Sequence, residues 1–456
     1  MLKHFKGLTL LLFLSLSVQS IAQKGTQSPY SVYGIGELKG GQYAYFNALG
    51  GAQLANTDST IITQSNPATF VNFNRNKPVF QVGLSGKFTK LETSLSSANV
   101  RQLGLNQFQL GLPVKKNWGA SFGLTPFSST GYLISNPIFE GVDTIAMKIN
   151  EGKGTISNFH IGLAYKQSFG TKSKLSVGAN LNYLFGGVEK IQSFEYTSYP
   201  DDALHSRVVN STNLSDTKFD FGFLFEQKLS RGSFTVGGTF SPAAKINSTQ
   251  NLLSFAYSKS FYQNYSYFSS VVDTAEFTAD VNGITYIPES FGIGVEYRLA
   301  PEAGSKQSYL IIFKGDLKQQ NWSKYYTLFN GERTDSIYSD RTTVSFGIDL
   351  SPHANARLND NLIPYLSKLH YRFGFNYTLS EIDIDNTQLT NYGINFGLGI
   401  PILNGNSNTN LNLGISYGAF GTTENDLIKE NNLGVSFGVS ISPGVYDRWF
   451  IKRKYD

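Results

Sequence analysis

The sequence predicts an all-β protein: a transmembrane antiparallel β-barrel of about fourteen strands with an N-terminal segment placed to act as a hatch. Three observations carry this. The composition is rich in Gly and aromatics and poor in charge, apolar residues recur with period two on one face only, and the lengths of the connections sort by parity.

The chain opens with a charged start at Lys3 and Lys6, an apolar run from Leu8 to Val18 and a small-residue pattern at Ser20-Ile21-Ala22. That is the layout of a secretory signal peptide, with removal expected after Ala22. The run is shorter than the ~20 residues a spanning helix requires. There is no Cys, so the mature chain is expected to be neither a lipoprotein nor disulfide-linked, and no thiolate can serve as nucleophile or metal ligand.

Charged residues make up 16% of the chain against the ~25% of ordinary soluble domains, while aromatics reach 14% and glycines number 45. No long apolar run follows the signal, which excludes a helical membrane protein. The net charge of +5 includes Lys3 and Lys6, so what remains implies no nucleic acid or other polyanion as partner.

Period two is clearest near the C-terminus. Leu433, Val435, Phe437, Val439 and Ile441 alternate with Gly434, Ser436, Gly438 and Ser440. The same pattern marks Tyr371 to Leu379, Tyr392 to Ile400, Leu411 to Ala419 and Phe219 to Phe225. Alternation alone also suits a soluble sandwich. The opposite face is more telling, because Gly, Ser, Asn and all the charges collect there: Lys87, His160, Lys166, Asp220, Glu226, Glu296, Arg298, Asp349 and Arg372. A lipid-facing outside and a wet inside produce that division.

Strand windows fall near 79–91, 99–113, 117–128, 154–168, 174–190, 212–229, 232–246, 289–300, 308–320, 340–352, 369–380, 391–401, 409–419 and 432–442. The connections after even-numbered windows are mostly short. Those after odd-numbered windows are often long: 129–153, 191–211, 247–288 and 321–339. Short periplasmic turns opposite long outer loops are the outer-membrane arrangement. The connections 353–368 and 92–98 fit this sorting poorly. The domain expectation is a signal peptide at 1–22, a hatch at 23–78, the barrel at 79–442 and a periplasmic tail at 443–456.

Residues 23–78 are polar and Gly-rich without a period of their own. A barrel of this size leaves a lumen too wide for its wall side chains to fill, so the segment is placed to plug it. Composition alone leaves an unstructured periplasmic leader equally open. The phrases GIGEL (34–38), NALGGAQLA (47–55) and TDSTIITQSNPATF (57–70) run Gly-Gly, Ala, Asp and then Asn-Pro-Ala just before the first strand.

In that order they resemble the hatch of the FadL-type outer-membrane transport family, sharply at Gly50, Gly51, Asn66, Pro67 and Ala68 and otherwise in layout. SPYSVYGIGEL (28–38) and RWFIKRKYD (448–456) resemble divergent, Bacteroidetes-like members. The resemblance implies a fourteen-stranded barrel closed by an N-terminal hatch in the outer membrane of a Gram-negative bacterium. It further implies passive uptake of hydrophobic or amphipathic small molecules such as long-chain fatty acids. Some relatives carry no lipid and serve as accessory barrels of secretion or outer-membrane assembly machines. The family opens a lateral portal at a kink in the third strand, which makes Gly123 and Pro126 the candidate portal here, against the plainer reading that the strand ends above the membrane, as Pro242 stands similarly late in the seventh window.

Further candidates are weighed against plain structural roles. Glu296, Arg298 and Arg372 face inward and are candidate lumen–hatch contacts. The aromatic stretch 251–272 reads equally as a ligand or partner surface and as a strand pair whose rings cover one another. Trp449 and Phe450 read as rim anchors at the outer-membrane lipid boundary. His160 faces inward without a Ser/His/acid set at a telling spacing, so a structural role is preferred to catalysis. No cofactor, metal or catalytic site is expected. The expected partners are outer-membrane lipid, a hydrophobic small-molecule cargo, and partner proteins at the outer loops or the periplasmic tail.

Overall fold

The computed structural model describes residues 25–443, except 41–42, 76, 198–202, 263–265, 302–307, 336–337, 354–363 and 403–408. The signal peptide and the residues around Trp449 and Phe450 lie outside the described residues.

Nineteen strands follow in chain order: β1 (Glu37–Leu38), β2 (Val79–Glu92), β3 (Ser97–Lys115), β4 (Trp118–Glu140), β5 (Asp143–Phe169), β6 (Ser173–Tyr196), β7 (His205–Leu229), β8 (Gly232–Ser241), β9 (Ala244–Tyr262), β10 (Ser266–Ile287), β11 (Ser290–Leu299), β12 (Leu310–Gln320), β13 (Tyr326–Phe329), β14 (Glu332–Asp335), β15 (Arg341–Ser351), β16 (His370–Ile384), β17 (Thr387–Ile402), β18 (Thr409–Phe420) and β19 (Lys429–Ile441). Fourteen of them close a barrel: each pairs antiparallel with its neighbour, and β19 returns to β2 along Lys429↔Glu92 to Ile441↔Phe80. Closure removes the free edges that a membrane-embedded sheet cannot leave unpaired. The other five, β1, β9, β10, β13 and β14, lie outside that ring of fourteen.

The outward face is apolar. Phe219, Phe221, Phe223 and Phe225 of β7 and Leu433, Val435 and Phe437 of β19 are all exposed, while on the other parity Ser436 and Ser440 are buried and Asp220 is half-buried. A face of exposed large side chains with buried polar groups behind it inverts a soluble protein, and makes this a transmembrane barrel of the outer-membrane type. Among the described residues no helix is long and apolar enough to cross a membrane.

Two parts of the wall differ in height. β8, β11, β12 and β15 have 10, 10, 11 and 11 residues, about what a tilted strand requires to cross the bilayer. β4 to β7 have 23, 27, 24 and 25 residues and rise well past it. The β9–β10 hairpin continues this raised sheet: β9 pairs with β7, and β10 with β13. The stretches read from sequence as outer loops 129–153, 191–211 and 247–288 are therefore largely strand. With water on both faces, the alternation that marks a lipid-facing strand is lost there. Within 251–272, Tyr257 is buried beneath the Arg207 guanidinium and bonds Glu195, while the side chains of residues 259–269 lie outside the described residues.

Candidate functional site: hatch, sealed lumen and lateral gap

The N-terminal segment lies inside the barrel. Ala44–Asn47 forms a single helical turn, which Gly50 and Gly51 end with positive φ of 65° and 88°. The Gly51 N–H donates to the Phe46 carbonyl at 2.8 Å, a glycine-closed helix end. Farther on, Asn66 caps the 3-10 turn Pro67–Asn72. Its Oδ1 accepts from the Ala68 N–H at 3.0 Å, and its Nδ2 donates to the Leu54 carbonyl at 2.6 Å and the Phe223 carbonyl at 3.1 Å. Pro67 takes the first helical position, where its missing N–H costs nothing. Asn66-Pro67-Ala68 thus cross-links hatch to hatch and hatch to β7; the chain then passes Phe70 and Phe73 before entering β2 at Val79.

Inward glycines receive the hatch nearly all round the wall. Gly178 and Gly222 lie against Pro67 and Asn66, Gly237 and Gly294 against Leu54, Gly347 and Gly374 against Leu49 and Gly50, and Gly438 against Tyr43. At Gly237 and Gly374 an added methyl would run into hatch backbone. β12 departs from this pattern and meets the hatch with charge instead. Asp316 accepts the Gln53 and Leu54 N–H groups at 2.7 and 3.0 Å, and Lys314 donates to Asn56 Oδ1.

The inward charges named from sequence sit in this contact zone. Glu296 is fully buried, pairs with Lys314 at 2.9 Å and accepts from the Thr57 hydroxyl; Arg298 donates to that hydroxyl at 3.0 Å. Arg372 donates to Asp349 at 2.9 Å and Asn412 at 2.8 Å, and its guanidinium lies 4.4 Å from the centre of the Tyr45 ring of the hatch. Buried charges demand such partners. Lys314, Asp316 and Asp349 belong to the same network. Sequence reasoning missed the first two, although their places opposite Glu296 and Gly294 on neighbouring strands follow once register is known.

A second stopper comes from outside. Between β12 and β15 the chain folds into the mouth, and Trp322 and Tyr325 pack with inward-facing Ile156, Leu184, Leu214, Ile246 and Ile287, flanked by Tyr338. Against the hatch lies a partly open cavity of about 510 Å³, walled by polar groups including Gln64, Thr125, Asn158, Lys218, Asp220, Lys318 and Arg341 and by apolar ones including Phe46, Leu54 and Phe127.

Gly123 and Pro126 stand where the wall parts. The β3–β4 ladder ends at Phe108↔Leu124, and a bulge follows between Pro126 and Ser128; from there β4 continues to Glu140 and β3 reaches back to Ser97 without pairing to each other. The N-terminal segment bridges the opening. β1 adds to the free edge of β4 at Ser128 and Ser129, Ser31 Oγ accepts from the Gly131 N–H at 3.0 Å, and Gln102 of β3 donates to the Gly25 carbonyl. Behind it is a hollow of about 350 Å³ beside Glu37, Lys39 and Lys87, three side chains joined by ion pairs.

His160 is buried, with Nε2 3.5 Å from Ser121 Oγ; the nearby Asp220 carboxylate is engaged by Asn182, Lys218 and Ser241 instead. Among the described residues no group of His, Asp and Glu could hold a metal ion.

The fold is the FadL-type barrel with hatch. A FadL homologue of Pseudomonas aeruginosa matches with TM-score 0.53 at 10% identity, covering 88% of this chain and 98% of its own. The Pseudomonas putida toluene transporter TodX matches with TM-score 0.50 at 15% identity, covering 89% and 98%. The Ralstonia pickettii toluene transporter TbuX matches with TM-score 0.51 at 10% identity, again covering 89% and 98%. No curated protein matches in sequence. One family model, described as BamG, matches residues 1–456.

Proposed function

The chain belongs to the BamG family, and from that premise we propose that it is a closed outer-membrane barrel serving as an accessory subunit, which docks partner polypeptides of a secretion or outer-membrane assembly machine. The observation that carries this reading is the double stopper. A hatch tied by buried ion pairs fills the lumen from one end, the Trp322–Tyr325 cap packs into the mouth at the other, and the cavity against the hatch has a mixed lining into which Lys218, Asp220, Lys318 and Arg341 bring charge. Pockets that take hydrophobic cargo are lined mainly by apolar side chains. The raised β4–β7 and β9–β10 sheet supplies the outer docking surface.

Purification from the native membrane in mild detergent tests this. Partner polypeptides should co-purify in fixed stoichiometry and be lost when residues 133–150 of the β4–β5 hairpin are replaced by a short turn. A preparation holding the barrel with bound lipid alone would overturn the accessory reading.

The gap between β3 and β4 favours a second reading: passive uptake of hydrophobic or amphipathic molecules such as long-chain fatty acids. Here Gly123 and Pro126 border the exit, and Gly50, Gly51, Asn66, Pro67 and Ala68 shape a hatch held by Glu296, Arg298 and Arg372. Uptake of a fluorescent long-chain fatty acid by cells with and without the protein checks it. Equal rates would remove this reading.

A further inference from the structure

Hatch and wall meet differently on the two sides of the lumen. Toward β11–β16 the contacts are charged, and the buried Glu296, Lys314, Asp316, Asp349 and Arg372 all have partners. Toward β3–β6 they are mostly amide contacts around Gln64, which accepts from Gln109 and Thr125 through its side chain and from Asn180 through its carbonyl, with Lys166 donating to the Val71 carbonyl at 3.1 Å. Of the buried polar atoms on that side that have no partner among the described residues, four lie together: Gln107 Nε2, Gln109 Oε1, Asn158 Oδ1 and Asn180 Oδ1. They are neighbours on the wall, since Gln109 lies opposite Gly123, Thr125 opposite Asn158 and Gly162 opposite Asn180.

Buried polar groups left unpaired by protein are met by ordered water where the site is polar and roomy enough. The 510 Å³ cavity reaches this patch, because Gln64, Thr125 and Asn158 line it. Below the patch the character changes abruptly. Phe70 and Phe73 stack at 6.2 Å and pack with Ile62, Val71, Val79 and Ala164. Phe70 is fully buried, with its ring on Gly162 and its carbonyl on Gly119. Narrow apolar constrictions stop water and ions by dewetting.

We propose that the seam between the hatch and the β3–β6 wall is a hydrated conduit, filled with water from the cavity down to Asn180 and closed toward the periplasm by Phe70. This goes beyond the accessory reading and stands whether or not partners bind. The barrel would then have one built-in place where solvent and small ions cross once a single ring moves.

The test is single-channel recording in planar bilayers on the full mature chain, with heat-modifiability on gels as the check of folding. Phe70→Ser should raise ion conductance by at least about tenfold over the closed protein, as expected when a dewetted constriction is made polar. Phe70→Leu should stay closed, and so should Leu49→Ser, an equally buried hatch residue on the charged side. A folded Phe70→Ser barrel that stays closed overturns the proposal, as does equal conduction through Leu49→Ser.

If Phe70→Ser does not fold, thiol labelling decides, because the chain has no Cys of its own. Asn158→Cys should react with a small cationic methanethiosulfonate at least about tenfold faster than Ala48→Cys, since the reagent needs a wetted path. Equal slow rates would mean that the seam is dry and the proposal wrong.

Discussion

The β8, β11, β12 and β15 wall and the β4–β7 wall enclose one hatch, both against inward glycines, and differ in how many buried charges they bring to it. The short side matches the membrane in length and grips the hatch with charge: Glu296, Lys314 and Asp316, with Asp349 and Arg372 beside them on β15 and β16. The tall side is more than twice as long and meets the hatch mostly through amides, hydroxyls and Gly162, Gly178 and Gly222, with Lys166 on a hatch carbonyl but, among the described residues, no buried ion pair to the hatch. A buried charge fixes its partner strongly, because losing either member leaves the other stranded. Amide contacts tolerate exchange with water. The barrel thus anchors its hatch along one side and leaves the other free to build the sheet that leaves the membrane.

The largest expected effect removes the anchored object altogether. Deleting residues 30–64 should leave the fourteen strands to close among themselves, since the ladder needs no hatch residue outside β1. The product should conduct as an open pore in planar bilayers while keeping heat-modifiable migration. A deletion variant that folds and stays closed would mean that the external cap seals the lumen unaided, and that the hatch contacts compared above are secondary.

Next in size is loss of one charge on the gripping side. Lys314→Met leaves Glu296 buried with one cation fewer and should lower stability by ~3–5 kcal/mol. Asn180→Ala on the amide side should cost only ~1–3 kcal/mol. Urea titration of both variants in the same detergent measures the difference. Equal losses would dissolve the distinction between the two sides.

Much of this architecture was legible in the sequence, for a definite reason. Where one face meets lipid and the other a polar lumen, chemistry alternates residue by residue, and Leu433 to Ile441 displays it without a break. Fourteen windows follow from that, and fourteen strands close the barrel. Inward placement of Glu296, Arg298 and Arg372 was readable by the same parity. Three things were not. Gly178, Gly222 and Gly237 look like any small wet-face residues, because what they accommodate is another segment's backbone. The upper halves of β4 to β7 lose their period once water bathes both faces. Trp322, Tyr325 and Tyr338 lie in a stretch that reads as an outer loop, and nothing local says that it folds back onto Leu184 and Leu214.

The lipid face supplies a comparison within one strand. Phe437→Arg should cost ~2–4 kcal/mol through a cation placed at mid-membrane, and should be seen as lost heat-modifiability. Ser436→Arg, one residue away and facing the lumen, should be milder. The reverse order would require the opposite inside–outside parity for β19 and, through the ladder, for the entire wall.

The smallest expected effect concerns how the cap is held. Lys324 and Asn321 both donate to Glu289, at the top of the short side, and these bonds hold its carboxyl down to about 2. A carboxyl depressed on folding contributes its stabilisation above its ordinary value of roughly 4.3 and loses it as the pH falls through the folded value. Between pH 7 and pH 4 this tie should therefore persist, and the cap, whose main hold is the apolar packing of Trp322, should not lift. Trp322 emission reports it in a protein whose other two tryptophans, Trp118 and Trp449, are replaced by Phe. The emission should stay constant down to about pH 4 and shift to the red only near pH 2, where the carboxyl takes up its proton. Asp340 also accepts from Ser323 of the cap, so Lys324→Ala isolates the Glu289 contribution. That variant should begin its shift at higher pH, near the ordinary carboxylate range. Identical curves for the two proteins would mean that the cap is held by packing alone, and that charge serves the short side only at the hatch.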